Sequence, residues 1–122
     1  MLRVLIVEDN AINMSLSTFL VKSAGYAVIA ASDAEAGIKM AREEVPDLIL
    51  MDIQLPGMDG IEAIGVLKDD PSTRGIPIIA LTALAMKGDE ARIRASGCDG
   101  YIAKPMRYRQ FLAAIASVME AT

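Results

Sequence analysis

Apolar residues in this chain fall into five short runs, separated by longer segments whose apolar positions recur at helical spacing. The runs are Arg3–Val7, Ala27–Ala31, Leu48–Met51, Ile76–Leu81 and Gly100–Ala103. Each is short and aliphatic or β-branched, which predicts strands. Leu48–Met51 is apolar on both faces, as a central parallel strand covered by helices on each side should be. Between the runs the spacing predicts five helices. The first runs from about Ile12 to Ala24, with Ile12, Leu16, Phe19 and Leu20 in step and Gly25 placed to stop it. Ser32-Asp33-Ala34-Glu35 has the form of a capping box and opens a second helix, which Pro46 limits to about Glu44. Asp59-Gly60-Ile61-Glu62 opens a third, ending near Asp70-Pro71. A fourth runs from about Lys87 to Ser96, has a mixed-charge outer face and stops at Gly97. The last runs from about Tyr108 to Met119, with Phe111, Leu112, Ile115 and Met119 facing inward. Strands alternating with helices over short connections predict a single α/β domain with a parallel five-stranded sheet.

The strand ends carry the chemistry. The first run ends at Glu8-Asp9, the third at Asp52, the fourth at Thr82-Ala83 and the fifth at Lys104-Pro105. In a parallel sheet these ends share one rim, where open α/β sheets hold their ligands. Alone, Asp52 would merely cap the loop that Pro56 and Gly57 create. Three converging carboxylates change that balance, because they raise one another's pKa unless a cation compensates. The chain has no histidine, so a hard divalent ion such as Mg2+, held by oxygen, suits the set. Lys104 adds a fixed charge and Thr82 a hydroxyl. Together they form a receptor for a phosphoryl group, with the carboxylate as its acceptor.

Composition narrows the classes. With 122 residues and 53% hydrophobic side chains, the chain has the size and apolar content of one folded domain. A formal charge of -4 disfavours nucleic acid as a partner. The lack of histidine argues against zinc sites and Ser-His-Asp catalysis. The single cysteine, Cys98, forms no internal disulfide and reads as a small, partly buried residue. No stretch is long and apolar enough to span a bilayer. Met1-Leu2-Arg3 leads straight into a strand, so a cytoplasmic protein without a signal peptide is expected. Met86 and Met106 are candidates for an adaptable surface, whereas Asp59, Asp69 and Asp70 read as loop and cap residues.

The set formed by Glu8-Asp9, Asp52 within Met-Asp-Ile-Gln-Leu-Pro, Thr82-Ala83 and Lys104-Pro105 resembles the receiver domain of two-component response regulators. The resemblance spans essentially the whole chain. In Val4–Asn10, Ala85–Glu90 and Gly97-Cys98 the wording is nearest to single-domain members that regulate cell division. The resemblance implies a doubly wound (βα)5, flavodoxin-like or CheY-like fold with strand order 2-1-3-4-5, one receiver domain over residues 1–122, and no output domain. It implies that Asp52 accepts a phosphoryl group from a phosphohistidine on a histidine kinase or histidine phosphotransfer protein. Mg2+ would be bound by Asp9, Asp52 and the backbone carbonyl of Gln54, with Glu8 acting mainly through a metal-bound water. Lys104, aimed by a cis Lys104–Pro105 bond, would pair with the phosphoryl oxygens, joined by the Thr82 hydroxyl and the Ala83 N–H. Tyr101 would be an aromatic switch that turns inward when Thr82 moves. The face around the fourth helix, fifth strand and last helix, with Arg92, Tyr101, Arg107 and Tyr108, would bind a downstream protein. Gln54 and Leu84 would tune a slow self-dephosphorylation. A monomer that contacts neither membrane nor nucleic acid is expected.

Other readings fare worse. A receiver excised from a hybrid kinase or multidomain regulator keeps the same chemistry in another setting. Phosphohydrolases of the haloacid dehalogenase type need a second acid where this chain has Gln54. A flavin site would need a phosphate-cradling Ser/Thr/Gly loop where Glu8-Asp9-Asn10 stands.

Overall fold

The computed structural model describes residues 2–82, 87–104 and 106–120. Its elements alternate as β1 (Arg3–Val7), α1 (Ala11–Ser23), β2 (Ala27–Ala31), α2 (Ala34–Glu44), β3 (Leu48–Asp52), α3 (Gly60–Asp69), β4 (Ile78–Thr82), α4 (Lys87–Ala95), β5 (Gly100–Ala103) and α5 (Tyr108–Glu120). The sheet is parallel throughout, in the order β2-β1-β3-β4-β5. The predicted doubly wound architecture is therefore the observed one.

Period-two alternation splits the strand side chains between two cores. Leu5, Val7, Ile49, Met51, Ile78 and Ala80 face α2, α3 and α4. Val4, Ile6, Leu48, Leu50, Ile79, Leu81 and Ile102 face α1 and α5, where Phe111, Ile115 and Val118 fill the second core. All five residues of β3 and of β4 are buried. These two strands fix the rim, and each fully buried Leu or Ile contributes about 1.5–3 kcal/mol. No helix among the described residues is long and apolar enough to cross a membrane.

Several local expectations change. Asp33, rather than Ser32, caps α2, accepting the Ala36 N–H at 2.7 Å. Most of the stripe on α1 faces away from the sheet: Ile12 is 79% and Phe19 58% exposed, and Leu16 is also exposed, while Leu20 packs partly buried against the core. The helix instead buries Ser17 and Val21. In α5 Leu112 is exposed, and Val118 takes the inward position. Gly25 and Gly97 do sit past the ends of α1 and α4 at φ +94°, the left-handed conformation that ends helices.

The amino ends of the strands are closed by acids that accept backbone and ammonium donors. Asp47 Oδ2 accepts the Arg3 N–H at 2.8 Å. Lys68 Nζ donates to Asp99 Oδ2 at 2.9 Å, and to the carbonyls of Ile76 and Arg74. The same Asp99 oxygen accepts the Ile78 N–H at the start of β4.

Candidate acidic site at the carboxyl rim

The register assembles the opposite rim. Val7 pairs with Met51, so the next residues, Glu8 and Asp52, emerge side by side. Asp52 pairs with Leu81, and Thr82 with Ala103, which brings Lys104 to the same rim. Strand alternation puts Glu8, Asp52 and Lys104 on the parity of the α1/α5 face, and Thr82 and Tyr101 on that of the α4 face.

Lys104 Nζ donates to Glu8 Oε1 and to Asp52 Oδ2, both at 2.8 Å. Its backbone N–H donates to the Thr82 carbonyl at 2.7 Å, which ties the lysine to the end of β4. Asp52 Oδ1 accepts the Gln54 N–H at 2.9 Å. Asp52 thus does cap its loop, and binds the lysine as well. Glu8, Asp52 and Thr82 are buried, whereas Asp9 is exposed at the mouth. One carboxylate oxygen from each of Glu8, Asp9 and Asp52 lies within 4.8 Å of the others. Asn10 caps α1, its side chain accepting the Asn13 N–H at 3.0 Å.

The electrostatics follow from Lys104 being shared by Glu8 and Asp52, with Asp9 close to both acids. The Glu8 carboxyl is pushed up to about 7, chiefly by burial and then by the hydrogen bond and charge of Asp52, with Lys104 offsetting part of the rise. For Lys104, burial alone would lower the ammonium. The hydrogen bonds and charges of Asp52 and Glu8 outweigh it, and the pKa stands above its ordinary value. The donor set is all oxygen, crowded and short of positive charge, which suits a hard divalent cation.

Of the residues expected at the site, Glu8, Asp9, Asp52 and Lys104 meet directly. Thr82 is buried beside them, and the Gln54 side chain is exposed at the loop. Tyr101 stands outward, 38% exposed. Arg92, Arg107 and Tyr108 are exposed, as a binding face requires. Ala83, Leu84, Met86 and Pro105, and with Pro105 the expected cis bond, lie outside the described residues. Met106 is buried and lines, with Glu8, Asn13, Leu16 and Lys104, a small cavity running from the site to α1.

Gly60 supports the site in a way its sequence context did not signal. It reads as a turn residue, but a Cβ there would lie 2.2 Å from the Asp52 carbonyl oxygen and 2.4 Å from Ile53 Cα. The start of α3 therefore packs directly on the backbone that carries Asp52. Asp59 caps this helix as expected, accepting the Glu62 N–H at 2.9 Å.

Fold and rim together define the class: the chain belongs to the response regulator receiver domain family, whose pattern it matches over residues 4–116. It is a receiver domain of two-component signalling, a phosphoacceptor switch rather than a turnover enzyme. In sequence it is DivK-like. It is 50% identical to the polar-differentiation response regulator DivK of Brucella anthropi over 116 residues, which cover 95% of this chain and 94% of that protein. Among solved structures, the receiver domain of the sensor histidine kinase PA1611 from Pseudomonas aeruginosa is 32% identical, with a TM-score of 0.90 and 98% of each chain covered. That structure has a magnesium ion coordinated in its active-site cleft. The chemotaxis protein CheY4 of Vibrio cholerae is 25% identical with a TM-score of 0.89, covering 97% of this chain and 98% of that one.

Proposed function

We propose that Asp52 accepts a phosphoryl group from a phosphohistidine on a partner histidine kinase or phosphotransfer protein, and that the resulting charge switches binding of a downstream protein. The observation that carries this reading is the buried Asp52 carboxylate, held by Lys104 at 2.8 Å beside Glu8 and Asp9. An Asp52 oxygen forms a bond to phosphorus as the phosphorus–nitrogen bond breaks, and the electron pair leaves on the imidazole nitrogen. The chain has no histidine, so the donor is another protein. Asp9, Asp52 and the Gln54 carbonyl would hold Mg2+, with Glu8 placed to bind it through water. The ion would neutralise the transferring oxygens. Lys104, already on Asp52, then pairs with the new phosphoryl oxygens. The Thr82 hydroxyl and Ala83 N–H supply further donors.

The donor must bring its phosphohistidine to this rim. Ile12, Leu16 and Phe19 run down α1 from it as exposed apolar side chains, and the cavity at Leu16 joins them to the site. This face suits the donor's docking. Phosphorylation adds nearly two negative charges. Drawing Thr82 toward them would let Tyr101 turn inward and change the surface around α4, β5 and α5. Slow self-hydrolysis, tuned by Gln54 and Leu84, would reset the switch.

The match across 94% of DivK supports a receiver over residues 1–122 that acts through partner binding, and the likeness to the receiver domain of a sensor histidine kinase keeps a receiver excised from a hybrid kinase as the second reading. A cytoplasmic monomer is the form proposed for it. The test is incubation with Mg2+ and acetyl phosphate, read by intact mass beside Asp52→Asn. The expected result is a Mg2+-dependent adduct in the wild type and none in the variant. An adduct that survives in Asp52→Asn, or none in either protein, overturns the assignment.

A further inference from the structure

The mechanism above leaves one contact on the α4–β5 face without a role. Arg94, in the last turn of α4, lies with its guanidinium carbon 5.4 Å from the centre of the Tyr101 ring, and its Nη2 reaches the Tyr101 hydroxyl at 3.5 Å. The ring stands outward beside an open cleft of about 360 Å³ lined by Arg94, Cys98, Asp99, Gly100 and Tyr101. The sheet register gives the alternative position. Ala80 pairs with Tyr101, and Thr82 with Ala103. Thr82 and Tyr101 therefore share a face two residues apart in register, and the two residues paired alongside them, Ala80 and Ala103, are small. A ring that turns inward passes over Ala80 toward Thr82 and must leave the guanidinium.

We infer that Arg94 is a clamp that holds Tyr101 outward and sets how much phosphoryl energy the switch needs. This inference rests on the reading of Asp52 as the phosphoryl acceptor and adds a regulator to it. The anchoring of α4 supports the assignment. Ile93 is buried under the helix, its carbonyl accepts the Cys98 thiol at 3.2 Å, and Lys68 fixes Asp99 just beyond. The helix end that carries Arg94 is thus fixed to the scaffold. An exposed cation–π contact of this type supports a population change of about two- to fivefold.

The test labels the three tyrosines with 3-fluorotyrosine and follows the Tyr101 resonance, assigned by its loss in Tyr101→Phe, through a titration with Mg2+ and beryllofluoride. Arg94→Ala should move the unliganded resonance toward its saturated position and lower the half-saturating concentration about two- to fivefold. Arg94→Lys, which keeps the charge but not the planar stack, should fall between. In a Tyr101→Ala background, followed by an intact-mass or metal-competition readout, Arg94→Ala should leave half-saturation unchanged. Identical titrations in wild type and Arg94→Ala would overturn the clamp alone, as would an equal Arg94→Ala effect without the ring. A wild-type protein that does not respond to Mg2+ and beryllofluoride would overturn the reading of Asp52 and the clamp with it.

Discussion

The two ends of the sheet handle charge in opposite ways. At the amino ends, each acid meets donors of its own. Asp47 takes the Arg3 N–H, and Asp99 takes Lys68 and the Ile78 N–H. At the carboxyl ends, Glu8, Asp9 and Asp52 converge, and among the described residues Lys104 is the ammonium bonded to Glu8 and Asp52. Both rims pair acids with a lysine, Lys68 from α3 at one and Lys104 just past β5 at the other. The difference shows that matched charges serve as joints, whereas a surplus of one sign is held ready for something that arrives from outside.

Removing the cation from each rim gives the sharpest contrast. Lys104→Met strands two buried acids and should cost about 3 kcal/mol in metal-free buffer, with Mg2+ restoring part of the loss. Urea unfolding with and without Mg2+ measures it, and a loss insensitive to Mg2+ would equate the two rims.

The next effect is pH dependence. Glu8 is raised from 4.5 to about 7 in the folded protein, so the native state binds more protons than the unfolded chain between those values. Stability should therefore fall as pH rises through that window, by roughly 2 kcal/mol in metal-free protein. Glu8→Gln should flatten this part of the curve. A slope that persists in the variant assigns the proton to another group.

The smallest effect belongs to the amino rim. Lys68→Met should cost about 1–2 kcal/mol, the same at any Mg2+ concentration. A cost that varies with Mg2+ would mean that this joint is coupled to the acidic rim.

The sequence discloses the carboxyl rim far better than the amino rim. Strands buried on both faces leave unbroken apolar runs, and the first polar residue after each run lands on the rim whatever the details of packing. Glu8, Asp52 and Lys104 were legible for that reason. In helix α1 the spacing shows the stripe but not its direction. Periodicity shows that Ile12, Leu16 and Phe19 share a face, but not which face meets the sheet. Small Ser17 beside Val21 fits that contact instead. The same ambiguity exchanged Leu112 for Val118. Lys68 reads as an ordinary solvated lysine, because its partner Asp99 lies 31 residues away in the chain. Gly60 looks like any turn glycine until the Asp52 backbone is placed against it.

The Lys104–Glu8 contact joins residues 96 apart in the chain, and this has a consequence for biosynthesis. No local hairpin can bring them together, since every strand pairing is parallel and crosses a helix. A nascent chain shorter than 104 residues carries the acids without their counter-charge. The charge balance of this rim is therefore completed late, by the finished fold.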